Sequence, residues 1–401
     1  MEVPACPGRG AARPPRRGGP RHARAGWALS AALRAGPTLA RLEAEVARIL
    51  AILTRTGAIR VAPEALQPAA VLLDLYGEDI RARAFITADE GGERMLRPDF
   101  TVPIVRLHMQ GAAEPARYAY AGPVWRRQEP GSGRPTEYLQ AGIELFDGTD
   151  PAEADAEIFA LIAEAVDHPG LEIATGDMGL ILAVIDALPT TEIRKRALRR
   201  HVWRPHAFRR LLERFGSRQP ELAAARADLI AAWRAGAAPD LMAEAGAPVG
   251  LRSAEDIDRR LARLAEEAET PPLTPGQVRD LETVAGLHGS ASEALAALRG
   301  LEATMPALAP ATDRLAARLA ALARAGFPAD TLPFEASFGR TTLEYYDGFV
   351  FGFRASGRPD LPPLASGGRY DTLTRILGDR PVPAVGGIVR PEALLALKGE
   401  T

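Results

Sequence analysis

YAYAGPVWRRQEPGSGRPTEYLQAGIELFDG, residues 118–148, carries the pattern on which the fold turns. Two strand-like runs flank a loop rich in Gly, Pro and charge. The first run leads Val124 and Trp125 into Arg126 and Arg127. The second, residues 138–146, alternates: Tyr138, Gln140, Gly142, Glu144 and Phe146 face one way, and Leu139, Ala141, Ile143 and Leu145 the other. Gln140 and Glu144 therefore share a face. On a buried strand an amide and a carboxylate need partners, because an unpaired buried polar group costs about 1–3 kcal/mol. Arg126 suits an anion, since its planar guanidinium holds a carboxylate or phosphate through two parallel hydrogen bonds. The stretch reads as the wall of a small-molecule pocket with a cationic end and an acidic end. The pattern alone leaves an ordinary hairpin with one solvated polar face as the alternative.

The totals bound what surrounds this stretch. At 401 residues and 47% hydrophobic content the chain supports two or three compact domains. A net charge of -2 offers no reason to expect a polyanion partner over the whole surface, so no nucleic-acid partner is expected. The single cysteine, Cys6, precludes an internal disulfide framework and fits a reducing, cytoplasmic compartment. No apolar run approaches about 18 residues, so no membrane helix is expected.

Taken in order, residues 1–36 are rich in Arg, Pro and Gly and read as a disordered leader. Leu39, Leu42, Val46, Ile49, Leu50 and Leu53 fall at helical spacing, with Gly57 as a stop, and residues 59–63 read as a short strand. Residues 95–107, MLRPDFTVPIVRL, place Arg97-Pro98-Asp99 and Thr101 before a helix. Asp99 and Thr101 are there either helix caps or site residues. Asp150 and Pro151 are an N-cap and a first helical residue, followed by a stripe of Ile158, Leu161, Ile162, Ala165 and Val166, and then a short strand at residues 171–174.

From residue 176 to 330 Ala, Leu, Arg and Glu dominate at helical spacing, which reads as a helical insertion domain between two parts of a sheet domain, 37–175 and 331–401. Within it Arg194, Lys195, Arg196, Arg199 and Arg200 form a basic run, either a solvated helix face or an RNA or protein contact. Tyr345 and Tyr346 open an aromatic strand, and Gly367-Gly368-Arg369-Tyr370-Asp371 and Gly386-Gly387-Ile388-Val389-Arg390-Pro391-Glu392-Ala393 follow.

In this order the segments resemble the motifs of class II aminoacyl-tRNA synthetases, and among them the histidyl-tRNA synthetases. The resemblance implies an α+β fold, a class II synthetase-like antiparallel sheet flanked by helices with a helical insertion. It assigns the first helix and strand, with Pro63, to a twofold dimer interface. It implies a histidine site: Asp99 at the α-amino group with Thr101 beside it, Arg126 at the carboxylate, Gln140 and Glu144 at the ammonium, and Tyr345 and Tyr346 around the imidazole.

The departures lie on the ATP side. Where the family has a glycine and a catalytic arginine, this chain has Arg390 and Ala393; where motif 2 has a glutamate and a second arginine, it has Gln128 and Glu129. The arginine expected four residues before the first tyrosine is Thr341, with Arg340 one position off and on the opposite strand face. The resemblance places an anticodon-binding domain after this motif, and none is expected here. Adenylate chemistry depends on positioned cations. An amino-acid site without them is similar to the regulatory subunits of ATP phosphoribosyltransferase, paralogues of histidyl-tRNA synthetase. That resemblance implies a non-catalytic chain without cofactor or metal. It implies as partners a short catalytic subunit, a second copy of itself and histidine as effector. A synthetase lacking its anticodon domain and an RNA-binding regulator on the same fold remain the alternatives.

Overall fold

The structure is a computed structural model, and it describes residues 35–70, 83–129, 131–132, 134–217, 220–244, 253–339 and 345–399. Residues 1–34 of the expected leader, and Arg340 and Thr341, lie outside the described residues. Helix α1 (Gly36–Leu53) buries Leu42, Ile49, Leu50 and Leu53, the stripe read from the sequence, and Gly57 follows at φ 81°, a conformation glycine adopts without strain. Then come β1 (Ile59–Arg60), β2 (Leu66–Pro68), β3 (Ile86–Asp89), β4 (Gly92–Leu96), α2 (Thr101–Met109), β5 (Ala116–Trp125), β6 (Glu137–Phe146), α3 (Pro151–Val166) and β7 (Leu171–Asp177). Asp150 caps α3, accepting from the backbone N–H groups of Ala152 and Glu153.

A run of helices follows: α4 (Met178–Ala187), α5 (Glu192–His201), α6 (Pro205–Gly216), α7 (Pro220–Arg234), α8 (Ala238–Glu244), α9 (Ala254–Glu269) and α10 (Pro275–Ala285). The chain closes with β8 (His288–Ser290), α11 (Ala291–Leu301), α12 (Ala309–Arg324), β9 (Pro333–Glu335), β10 (Phe349–Ala355), β11 (Ala365–Arg369), α13 (Asp371–Leu377), β12 (Ala384–Val389) and α14 (Pro391–Lys398).

Nine strands form one sheet in the order β1-β5-β6-β12-β11-β10-β7-β9-β8, and β2-β4-β3 form a small second sheet. The large sheet is antiparallel apart from β1 beside β5 and β7 beside β9. This is the expected sheet-and-helix architecture. One face of the sheet carries α3, whose Phe159 meets Phe351 and Phe353 of β10 at centroid distances of 5.2 and 5.4 Å. The stretch read as one helical insertion, 176–330, is not helical to its end. Its last part returns to the sheet layer: β8 pairs with β9, and α12 packs along α3. A three-residue strand has too few positions to show an alternation, which is why helical spacing dominated the reading there.

The basic run on α5 is largely engaged within the fold. Arg194 is buried, donating from Nε to Glu267 at 3.0 Å and from Nη1 to the carbonyl of Pro271 at 2.7 Å. Lys195 donates to the carbonyl of Asp186, and Arg199 to the carboxylates of Asp186 and Glu192.

A buried ion-pair network ties the remote segments together. Arg318 on α12 donates to Asp155 on α3 and to Asp177 at the end of β7, both at 2.6 Å. Arg369 on β11 donates to the other oxygen of Asp155 at 2.9 Å, to Asp371 at 2.9 Å and to the carbonyl of Pro151 at 2.8 Å. Asp177 also caps α4 through the N–H of Gly179 at 2.7 Å. Removing one member leaves buried charge uncompensated, which typically costs about 3–5 kcal/mol. Asp155→Ala should therefore lower unfolding free energy by about 3–5 kcal/mol in urea titrations, and a change within about 0.5 kcal/mol would show the network to be dispensable.

Candidate functional site

On the sheet face opposite α3, a cavity of about 260 Å³ is lined by Asp99, Thr101, Arg126, Gln140, Glu144, Tyr345 and Tyr346, together with Arg134, Phe338, Tyr370 and Arg390. All of the residues singled out from the sequence thus meet in one place. Gln140 and Glu144 enter from β6 on the shared face that the alternation requires, opposite Gly122 of β5 and Gly386 of β12.

Glu144 is the buried centre of this wall. Its Oε1 accepts from Thr101 Oγ1 at 2.8 Å and from Tyr120 Oη at 2.9 Å, and its Oε2 accepts a close hydrogen bond from the Tyr370 hydroxyl. Burial pushes the carboxyl up to about 7, with Asp99 adding to the rise, while the three hydroxyl donors hold it back. Burial beside that charge in turn pushes the hydroxyls of Tyr120 and Tyr370 well above their ordinary range. The packing admits no side chain at two neighbouring positions. A Cβ on Gly386 would lie 1.7 Å from Glu144 Oε2, and one on Gly142 would lie 2.5 Å from Tyr120 Oη.

The N-cap position of α2 falls on Phe100, between Asp99 and Thr101, and makes no side-chain cap hydrogen bond. Asp99 and Thr101 are both buried at the cavity, and Thr101 spends its hydroxyl on Glu144. Gln140 is 2% exposed, and its Oε1 has no hydrogen-bond partner among the described residues. Arg126 leaves β5 with Nε donating to the carbonyl of Pro98 at 2.9 Å, which fixes the guanidinium at the cavity wall. Tyr345 and Tyr346 meet edge to face with centroids 4.9 Å apart, and Tyr345 meets Tyr370 at 6.0 Å.

Three contributors went unassigned in the sequence. Tyr120 was read only as part of a strand, although its place on β5 two residues before Gly122 puts it on the cavity face. Tyr370 stands in the Gly367-Gly368-Arg369-Tyr370-Asp371 run, which carries no site role in the sequence. Arg390 was read only as a departure from a pattern, yet it lines the cavity. Glu392, two residues on, fastens α14 to β6 by accepting from the backbone N–H of Leu139 at 3.0 Å. Among the described residues no group of three or more His, Cys, Asp or Glu side chains is placed to hold a metal ion, and no helix is long and apolar enough to cross a membrane.

Comparison with known proteins gives a consistent set of relatives. A family model described as histidyl-tRNA synthetase matches residues 35–270 and 253–394. A protein of Brucella anthropi named ATP phosphoribosyltransferase regulatory subunit is 35% identical over 356 residues, spanning 84% of this chain and 92% of its own. One of the same name from Mesorhizobium japonicum is 35% identical over 378 residues, spanning 86% and 94%. A solved Bacillus halodurans structure, described as an ATP phosphoribosyltransferase regulatory subunit/histidyl-tRNA synthetase, superposes with a TM-score of 0.62 at 22% identity, over 91% of this chain and 81% of that one. A histidine–tRNA ligase subunit from Alicyclobacillus acidocaldarius gives 0.56 at 22% identity, over 98% and 99%. At such identity these two structures speak for the fold.

The Glu144 carboxyl makes stability depend on pH. Its value rises from 4.5 to about 7, so the folded chain holds this proton more tightly than the unfolded chain does. The stabilisation is full below pH 4.5 and is lost as the pH climbs to about 7. Across that window the Tm of the ligand-free protein should fall relative to that of Glu144→Gln, measured by calorimetry. A constant difference between the two would show that this carboxyl is not protonated by folding.

Proposed function

The chain belongs to the histidyl-tRNA synthetase family and, within it, to the ATP phosphoribosyltransferase regulatory subunits of histidine biosynthesis, and from that premise we propose that it acts by binding alone. In this reading the chemistry resides on a separate, short catalytic subunit, which this chain activates. It assembles as a twofold dimer through α1 and the strand that follows. Histidine enters the cavity with its α-ammonium toward Glu144, Gln140 and Asp99, its carboxylate toward Arg126, and its ring between Tyr345 and Tyr346.

The single observation that carries the reading is the convergence of these residues on one small cavity with acid at one end and guanidinium groups at the other. A volume of about 260 Å³ falls just below the range of about 300–1,000 Å³ that holds drug-sized ligands, which favours a molecule of amino-acid size. The engagement of Arg194, Lys195 and Arg199 within the helical region weighs against an RNA contact there. Regulation then reduces to a coupling free energy. Histidine shifts the assembly only as far as its affinities for active and inhibited states differ, typically about 1–3 kcal/mol.

The test is an ATP phosphoribosyltransferase assay on the short catalytic subunit from the same genome, run with and without this chain and titrated with histidine. Activation that histidine reverses is expected. Gln140→Leu and Glu144→Gln should each weaken histidine binding about tenfold or more by calorimetry while leaving activation in place. The glutamine is preferred to alanine at 144 because its carboxamide oxygen still accepts from Thr101 and Tyr120, while its amide nitrogen can donate to the Tyr370 hydroxyl in place of the bond lost there. Inhibition unchanged in both variants would move the effector out of this cavity, and no activation would sink the regulatory reading.

A further inference from the structure

The cationic end of the cavity holds more charge than the site was read to need. Arg390 follows β12 and precedes Pro391, and a residue before proline is held extended, as its φ of -104° and ψ of 96° record. Its backbone N–H donates to the carbonyl of Leu364 at 2.8 Å, and its Nη1 to the carbonyl of Pro363 at 2.6 Å. The guanidinium is thereby fixed at the cavity wall with most of its five donors uncommitted to that carbonyl.

The charge balance around it is unusual for this protein. Arg318 and Arg369 are each matched by aspartates, and Arg97, which among the described residues has no carboxylate at ion-pair distance, donates to two carbonyls and lies over the face of Phe100. Among the described residues no carboxylate lies within ion-pair distance of Arg390. The charge near it is Arg126, of the same sign, and the nearby hydroxyls are those of Tyr138 and Tyr346. Burial, with Arg126 adding to it, pushes the guanidinium down to about 10. Two like charges set together at low dielectric are costly, and an anion between them reverses the sign of the interaction.

We propose that Arg390 is a specificity-determining residue of this cavity, taking the α-carboxylate of the bound amino acid jointly with Arg126, so that the site requires a free carboxylate. The inference rests on the reading that an amino acid binds here. It adds that the carboxylate is selected by a residue on the β12–α14 junction, remote in sequence from the hairpin that carries Arg126. Charge-assisted hydrogen bonds of this kind are worth about 10- to 150-fold in affinity.

Calorimetry on the full chain with L-histidine and with L-histidinol, which carries a hydroxymethyl group in place of the carboxylate, reads this directly. The wild type should bind histidine about 10- to 150-fold more tightly than histidinol. Arg390→Met should lose affinity for histidine by a similar factor while histidinol binding changes little, so the ratio collapses; Arg390→Lys, which keeps the charge, should restore part of it. Gln140→Leu serves as the reference, weakening both probes and preserving the ratio. A wild-type ratio retained in both Arg390 variants, with Gln140→Leu still weakening histidine, would overturn the assignment of Arg390 and leave the amino-acid site standing. No histidine binding by the wild type would overturn both.

Discussion

Asp155 is the carboxylate about which the molecule is assembled. It sits on α3, one turn into the helix that backs the sheet, and receives Arg318 from α12 on one oxygen and Arg369 from β11 on the other. Through Arg318 it reaches Asp177, which ends β7 and caps α4, and through Arg369 it reaches Asp371 at the start of α13. Every charge in the set is met by an opposite charge, which offsets the desolvation that burial imposes. Segments separated by more than 200 residues are thereby held at fixed depth against one another. Arg369 and Tyr370 are neighbours with opposite duties. Arg369 goes to the α3 side and locks the scaffold, and Tyr370 goes to the cavity side and donates to Glu144.

Because the scaffold is fixed from behind, the site on its front can carry charges that would otherwise destabilise it. Gly142 and Gly386 surrender side chains so that Glu144 and Tyr120 can stand where they do. Hydrophobic residues at those positions would pack a strand better, so the arrangement gives up stability for a polar wall. Three hydroxyls orient the Glu144 carboxylate, and two carbonyls orient the guanidinium groups of Arg126 and Arg390. A site borne on strands and anchored this way is preorganised, which lowers the ordering entropy that a ligand must overcome.

How much of this could be read beforehand follows from the range of each signal. The period of two along residues 138–146 put Gln140 and Glu144 on one face, and they are. The caps and stripes of α1 and α3 are local, and Asp150 and Leu53 stand where their neighbours imply. The choice between cap and site at Asp99 and Thr101 was not local, since it turned on a glutamate 43 residues away for Thr101. Arg318 gave no sign at all: it lies in an Ala- and Leu-rich amphipathic helix, and its partners are 163 and 141 residues distant. Arg390 was visible but was weighed only as the loss of a glycine. Only the fold sets it beside Arg126 as a second cation of the cavity.

Burial acts on the two ends of the cavity in opposite senses. It raises the Glu144 carboxyl toward neutrality at one end and loosens the proton on Arg390 at the other. Each shift reflects a charge that the protein alone leaves poorly compensated. A ligand carrying a cation and an anion on one carbon compensates both at once, whereas a purely cationic or purely anionic molecule relieves one end only. In the proposed reading the cavity is therefore most complementary to a zwitterion, and the free energy released on binding is largest when both ends are engaged. Such binding stabilises whichever arrangement of β6, β12 and the start of α14 keeps the two ends at the right separation. In that reading a regulatory effect of the ligand is expressed through that separation, since equal affinity for two arrangements would shift neither.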